Sequence, residues 1–160
     1  MLAGWAGLRA KEIALLRREC VLDAAATPVL LVAWDATKGH FERVVPMSGF
    51  VLGEVVPYLP RSGWVFRRGD GGRGPNRPSR VSHLAADYLH GAGIPATLHQ
   101  LRHWFGTEVY RLTKDLRLVQ ELLGHQDPAT TAGYAAIVQA DAIGVVEQLP
   151  APGRLRAVTG

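Results

Sequence analysis

Residues 97–124 carry their own helix boundaries, and they constrain this chain more than any other stretch. Pro95 forces an extended approach, and the Thr97 hydroxyl is suited to accept from the first unpaired N–H groups of a helix. Leu98, Leu101, Phe105, Val109 and Leu112 then recur at spacings of three and four, which lays one apolar stripe against a core. A second helix over Asp115–Leu123 stops at Gly124, the residue type that most readily turns left-handed beyond a helix end. His99, Arg102 and His103 stand beside the stripe. His99 and Arg102, three apart, leave one face with Cβ atoms about 5–6 Å apart. His125 follows Gly124 directly, and Tyr134 comes next on a short helix begun at Pro128.

Upstream, GLRAKEIALLRR (Gly7–Arg18) sets Leu8, Ile13, Leu15 and Leu16 among charges, as in a short amphipathic helix with Arg9 at its start. After Pro28, VLLVAWD reads as a buried strand and FERVVP as its partner. The turn between them, Ala36–His40, puts Lys38 at a hairpin tip. Ser48 is placed to cap a helix reaching about Tyr58, Trp64–Arg67 reads as a third strand joining the hairpin, and Ser79–His90 reads as a helix closed by Gly91 and Gly93. Beyond Tyr134, Val138–Leu149 forms an amphipathic helix with Val138, Ile143, Val145, Val146 and Leu149 on its apolar face. These elements predict an α+β fold, mainly helical, with a small three-stranded antiparallel sheet. One domain spans 1–150, and residues 151–160 form a tail.

Composition bounds the partners. At 160 residues and 48% hydrophobic, the chain can bury a core of its own. Its longest apolar stretch, Ala24–Trp34, is broken by Pro28 and falls far short of the ~20 residues a membrane-spanning helix needs. A single cysteine, Cys20, allows no internal disulfide, so a reducing, cytoplasmic location is expected. The net charge of +4 and pI near 9.6 suit an anionic partner. Six arginines lie between Arg61 and Arg80 against one acid, Asp70. In that Gly- and Pro-rich loop, Arg67, Arg68, Arg73, Arg77 and Arg80 are candidates to neutralise phosphates irrespective of sequence. A solvated loop that binds nothing is the competing reading.

Three chemistries compete for the histidines, arginines and tyrosine. In the plainest, His99 and His125 are satisfied surface polar groups and Tyr134 is a core aromatic. A zinc hydrolase is suggested by His99 and His103 four apart, with Gly106 beyond them. That motif needs a glutamate after the first histidine and a third histidine after the glycine, where this chain has Gln100 and Val109, so no metal site is expected. The third is metal-free attack on a phosphodiester. A tyrosine hydroxyl is a weak nucleophile at its ordinary pKa of about 10, so such a site must take up its proton and stabilise charge on the phosphoryl oxygens. Two guanidinium groups meet the second need, a histidine the first, and a lysine can protonate the departing alkoxide.

Taken in order, GLRAKE, Lys38 eight residues before Pro46, HQLRH, LLGH and the following Tyr134 resemble the catalytic domain of the tyrosine recombinase (phage integrase) family, over about Gly7 to Tyr134. The resemblance implies that Tyr134 attacks a phosphate of double-stranded DNA, forming a 3′-phosphotyrosyl bond and releasing a 5′-hydroxyl. It implies that Arg9 and Arg102 clamp the non-bridging oxygens, Lys38 is the general acid, His99 assists proton transfer and His125 hydrogen-bonds the scissile phosphate. Glu12 matches a family acidic position that orients its neighbours. Rejoining would need no nucleotide cofactor, because the covalent intermediate keeps the bond energy. Gln100 stands where the family usually has Asp, and Gly133 where a basic residue is common. Family members also carry an N-terminal DNA-clamping domain, whereas only six residues precede Gly7, so an excised catalytic domain or natural fragment with weak, non-specific DNA binding is expected. A homotetramer on DNA is expected of the full-length protein, with the last helix packing either on a neighbouring subunit or on its own domain. A catalytically silent DNA-binding or regulatory remnant, or a type IB-like topoisomerase, are the alternatives.

Overall fold

Gly7 decides how the chain begins. The computed structural model describes residues 1–25, 27–35, 40–72, 74–124 and 144–149. It starts with helix α1, Leu2–Ala6, all of it buried, which ends at Gly7 with φ of 62°. A Cβ on Gly7 would sit 2.7 Å from the Phe105 ring, so both conformation and space require glycine there. Arg9 is then the extended N-cap residue of α2, Ala10–Ala14. The expected helix over Gly7–Arg18 is therefore much shorter. Its ends are drawn into tertiary contacts: the Leu8 N–H bonds the Leu2 carbonyl, while Arg17 makes an isolated antiparallel bridge with Trp64.

The sheet has the order β1-β2-β3 and is antiparallel throughout. β1 is Val21–Leu22, β2 is Val29–Asp35 and β3 is His40–Pro46. The hairpin strands are those expected, but the third strand is not. Trp64–Arg67 does not join the hairpin. The carbonyl of Leu16 takes the Val65 N–H, and Arg67 bridges Pro75, so that segment folds against the start of the chain and upon itself. Val21 and Leu22 pair instead with Leu30 and Val29. Along β2 and β3 the register runs regularly from Val29↔Pro46 to Val32↔Arg43 and shifts beyond Val32. Arg43 and Val45, two apart in β3, share the inward face.

The remaining helices follow their sequence signals. α3, Gly49–Val55, is capped by Ser48, whose hydroxyl accepts the Val51 N–H, and runs on into a 3-10 turn at Val56–Tyr58. α4 is Pro78–Gly91 and opens with proline in its first turn. α5, Leu98–Thr113, is capped by Thr97, which accepts the Gln100 N–H, while the Gln100 side chain accepts the Thr97 N–H in return. Asp115 caps α6, Leu116–Leu123, which ends at Gly124 with φ of 66°. The stripe on α5 is buried as expected: Leu101, Phe105 and Val109 lie in the core with Leu8, Leu30 and Val45, and Leu98 and Leu112 pack against it. α5 packs on α1, where the Trp5 and Trp104 rings meet at 5.2 Å, and on α6.

Of the last expected helix, residues 144–149 are described, and 144–147 of them are helical. Val146 and Leu149 belong to the core of their own chain, and the Glu147 carboxylate accepts the Gly49 N–H at the start of α3. No helix among the described residues is long and apolar enough to cross a membrane.

Candidate active site

Glu12 is the centre of the site. It lies in the first turn of α2 and is buried, yet three arginines from three separate parts of the fold close on it. Its Oε1 accepts Nη1 of Arg9 at 2.6 Å and Nη1 of Arg43 at 3.0 Å. Its Oε2 accepts the backbone N–H of Arg9 at 2.6 Å and Nη2 of Arg43 at 2.9 Å, with Nη1 of Arg102 at 3.7 Å. Burial pushes the Glu12 carboxyl up, but the hydrogen bonds and charge of Arg43, joined by the bonds from Arg9, outweigh it and hold the group below the usual carboxylate value. Glu12 is thus an anion, and three guanidinium groups around one carboxylate leave positive charge in excess among these four side chains.

The same arginines meet the end of α6. The last carbonyls of an α-helix have no partner inside the helix and carry the negative end of its dipole. Arg43 Nε donates to the Leu122 carbonyl at 2.8 Å, Arg102 Nη2 to Leu123 at 2.6 Å and Arg9 Nη2 to Gly124 at 3.0 Å. Arg102 also donates to the Gly7 carbonyl, which ties α5 to the turn that aims Arg9. Arg9 and Arg102 are therefore brought together as expected. They differ in access: the Arg9 side chain is 40% exposed, against 7% for Arg102, so Arg9 presents the open edge of the pair.

His99 lies one turn before Arg102 on α5 and is exposed to solvent. Its Nε2 is 2.9 Å from Nε2 of His103, with the rings edge to face, so one ring donates and the other accepts. Lys38, His125 and Tyr134 lie outside the described residues, as does Arg73 of the basic loop. The other loop arginines are exposed. Arg67 donates to the carbonyls of Ser62 and Trp64, and Arg68 pairs with Asp70 at 2.7 Å, so their hydrogen bonds stay within the loop. Arg77 and Arg80 stand exposed at the start of α4. No group of three or more His, Cys, Asp or Glu suited to a metal occurs among the described residues.

Arg43 is the residue that sequence reasoning missed. FERVVP alternates as a strand should, and an arginine in it reads as outward-facing. The available signal was its phase: Arg43 shares its face with Val45, so the strand must either bury a charge or lose its apolar side.

Comparison with known proteins gives this arrangement a context. The model of the phage integrase family matches residues 1–140. The tyrosine recombinase XerC of Bradyrhizobium diazoefficiens is 39% identical over 141 residues, which cover 82% of this chain and 42% of the relative. XerA of Thermococcus kodakarensis is 33% identical over 138 residues, covering 82% of the chain and 47% of the relative. The chain thus spans less than half the length of these relatives. Among solved structures, the integrase from mycobacterium phage Brujita superposes with a TM-score of 0.74 at 28% identity, covering 99% of this chain and 52% of the integrase. A crystal structure of XerA recombinase has the same fold, with a TM-score of 0.64. The matched region takes in both arginines and the helix end they grip, and this chain belongs to the phage integrase family.

Proposed function

We propose that this chain is the catalytic domain of a site-specific DNA recombinase or integrase, cutting and rejoining strands through a 3′-phosphotyrosyl intermediate. The observation that carries the reading is the arginine cluster: Arg9 and Arg102 are fixed within one hydrogen-bonded network, in positive excess, at the point where the chain leaves α6 toward His125. Relatives support it by name, being tyrosine recombinases, and a structural neighbour of the same fold, XerH, is described bound to its difH substrate in a pre-cleavage complex.

In the proposed reaction the Tyr134 oxygen attacks the scissile phosphorus and its proton passes toward His99. The P–O5′ bond breaks, Lys38 protonates the departing 5′ oxygen, and the phosphate remains esterified to tyrosine through its 3′ strand. Arg9 and Arg102 stabilise the charge that grows on the non-bridging oxygens, and His125 hydrogen-bonds the same phosphate. Attack by a 5′-hydroxyl from another strand reverses each step, so energy enters from no cofactor. Exchange between two duplexes involves four strands, hence four copies of the site. Arg67, Arg68, Arg73, Arg77 and Arg80 supply sequence-independent attraction to the backbone.

The test is incubation with a library of nicked suicide duplexes randomised around the nick, whose short 5′ fragment diffuses away after cleavage. A covalent adduct that resists denaturation and disappears in Tyr134→Phe is the expected result. An adduct that survives this substitution, or none from the wild-type chain, refutes the reading.

A further inference from the structure

Arg43 lies deep in the structure, far from any role as a phosphate ligand of its own, and its side chain is the least exposed of the three arginines. Its side chain is 5% exposed. One edge of the guanidinium grips both oxygens of Glu12, and Nε reaches the Leu122 carbonyl across a separation of 79 residues. We propose that Arg43 is a positioning residue for strand transfer, fixing the end of α6 and the Glu12 carboxylate so that Arg9 and Arg102 share one alignment. This rests on the strand-transfer reading above.

Three features of the geometry point this way. First, Leu122, Leu123 and Gly124 are consecutive, and each carbonyl has its own arginine, so the exit from α6 is held from three directions. His125 is the next residue. Second, Arg43 holds Glu12 through both oxygens, and each of these oxygens also takes one bond from Arg9. A shift of Arg43 therefore moves the clamp residue through the shared carboxylate. Third, Arg43 sits in β3, five residues after Lys38 in sequence, so a single side chain joins this strand to the end of α6. Apolar side chains in place of both Arg43 and Glu12 could satisfy the core, since a buried ion pair is weak support for stability alone. A lysine would supply charge but not the fork that spans carboxylate and carbonyl together.

The test uses Arg43→Lys and Arg43→Gln in the whole chain, with two readouts. The first is single-turnover cleavage at saturating DNA of the selected suicide duplex, with either an ordinary phosphodiester or a neutral methylphosphonate at the scissile position. Misalignment of a clamp costs on the order of 100-fold in rate. The expected loss is of that size on the phosphodiester and less than about tenfold on the methylphosphonate, where there is less charge for the clamp to stabilise. The second is amide exchange, expected to quicken at Gly124 while Leu101–Val109 stays protected. Equal losses on both substrates, or unchanged exchange at Gly124, overturn the proposal. A wild-type chain that forms no adduct counts against the strand-transfer reading, and the exchange result then decides alone whether Arg43 holds the helix end.

Discussion

Replacing Glu12 with glutamine removes one charge and changes no shape. Each carboxylate oxygen takes one bond from Arg9 and one from Arg43. Whichever way the amide turns, its NH2 faces two donors, and one bond to each arginine is lost. Hydrogen bonds to charged groups contribute about 1.5–3 kcal/mol apiece, which puts the loss near 3–6 kcal/mol. Removing one member of a buried ion pair independently gives about 3–5 kcal/mol. For a domain of this size that lowers the thermal midpoint by roughly 6–20 °C. The pH dependence gives a second check. The folded-state pKa of Glu12 lies below its ordinary value of 4.5, so its contribution is fully present above that value and is lost as pH falls through the folded value. Urea unfolding of wild type and Glu12→Gln should differ most at neutral pH and converge in acid, where the wild-type carboxyl is itself neutral. A neutral-pH difference below about 1 kcal/mol, or one that persists undiminished in acid, would refute the view that the ionised carboxylate organises the cluster.

Other outcomes follow from the same structure. Gly7→Ala forces a left-handed φ on a residue with a side chain and drives its methyl into Phe105; a loss of about 1–3 kcal/mol is expected by urea unfolding, with a matching fall in midpoint. Thr97→Ala removes the hydroxyl that caps α5 and should cost about 1 kcal/mol, measurable as faster amide exchange at Gln100. Cys20 is buried and its thiol is pushed up by desolvation, so native protein should react slowly with iodoacetamide and urea-unfolded protein quickly.

Most of the fold was legible because its signals are local. Thr97 and Gly124 bound their helices by side-chain and backbone chemistry that needs no tertiary partner, and the α5 stripe declares its buried face by spacing. The third strand was not legible. Val21–Leu22 is too short to show a period, whereas Trp64–Arg67 looks like a strand but finds its partners in Arg17, Leu16 and Pro75. The amphipathic reading of Gly7–Arg18 picked out residues that are indeed largely buried, but could not foresee that Gly7 and Leu15 confine α2 to a little over one turn. In the candidate site, Arg9 and Arg102 were legible as candidates, since GLRAKE and HQLRH set each among neighbours in sequence. Arg43 was harder to place, because the phase of its strand flags a buried charge without naming what neutralises it: its partners Glu12 and Leu122 lie 31 and 79 residues away. The expected contact of the last helix with a neighbouring subunit has to accommodate Val146 and Leu149, which already pack inside their own chain.

The most direct test of the account is the identity of the covalent bond. Wild-type protein trapped on the suicide duplex, digested with nuclease and trypsin and sequenced by mass spectrometry, should yield a peptide carrying nucleotide on the Tyr134 oxygen, linked through a 3′-phosphate, with a 5′-hydroxyl on the released strand. Attachment through any other residue, or through a 5′-phosphate, would contradict it.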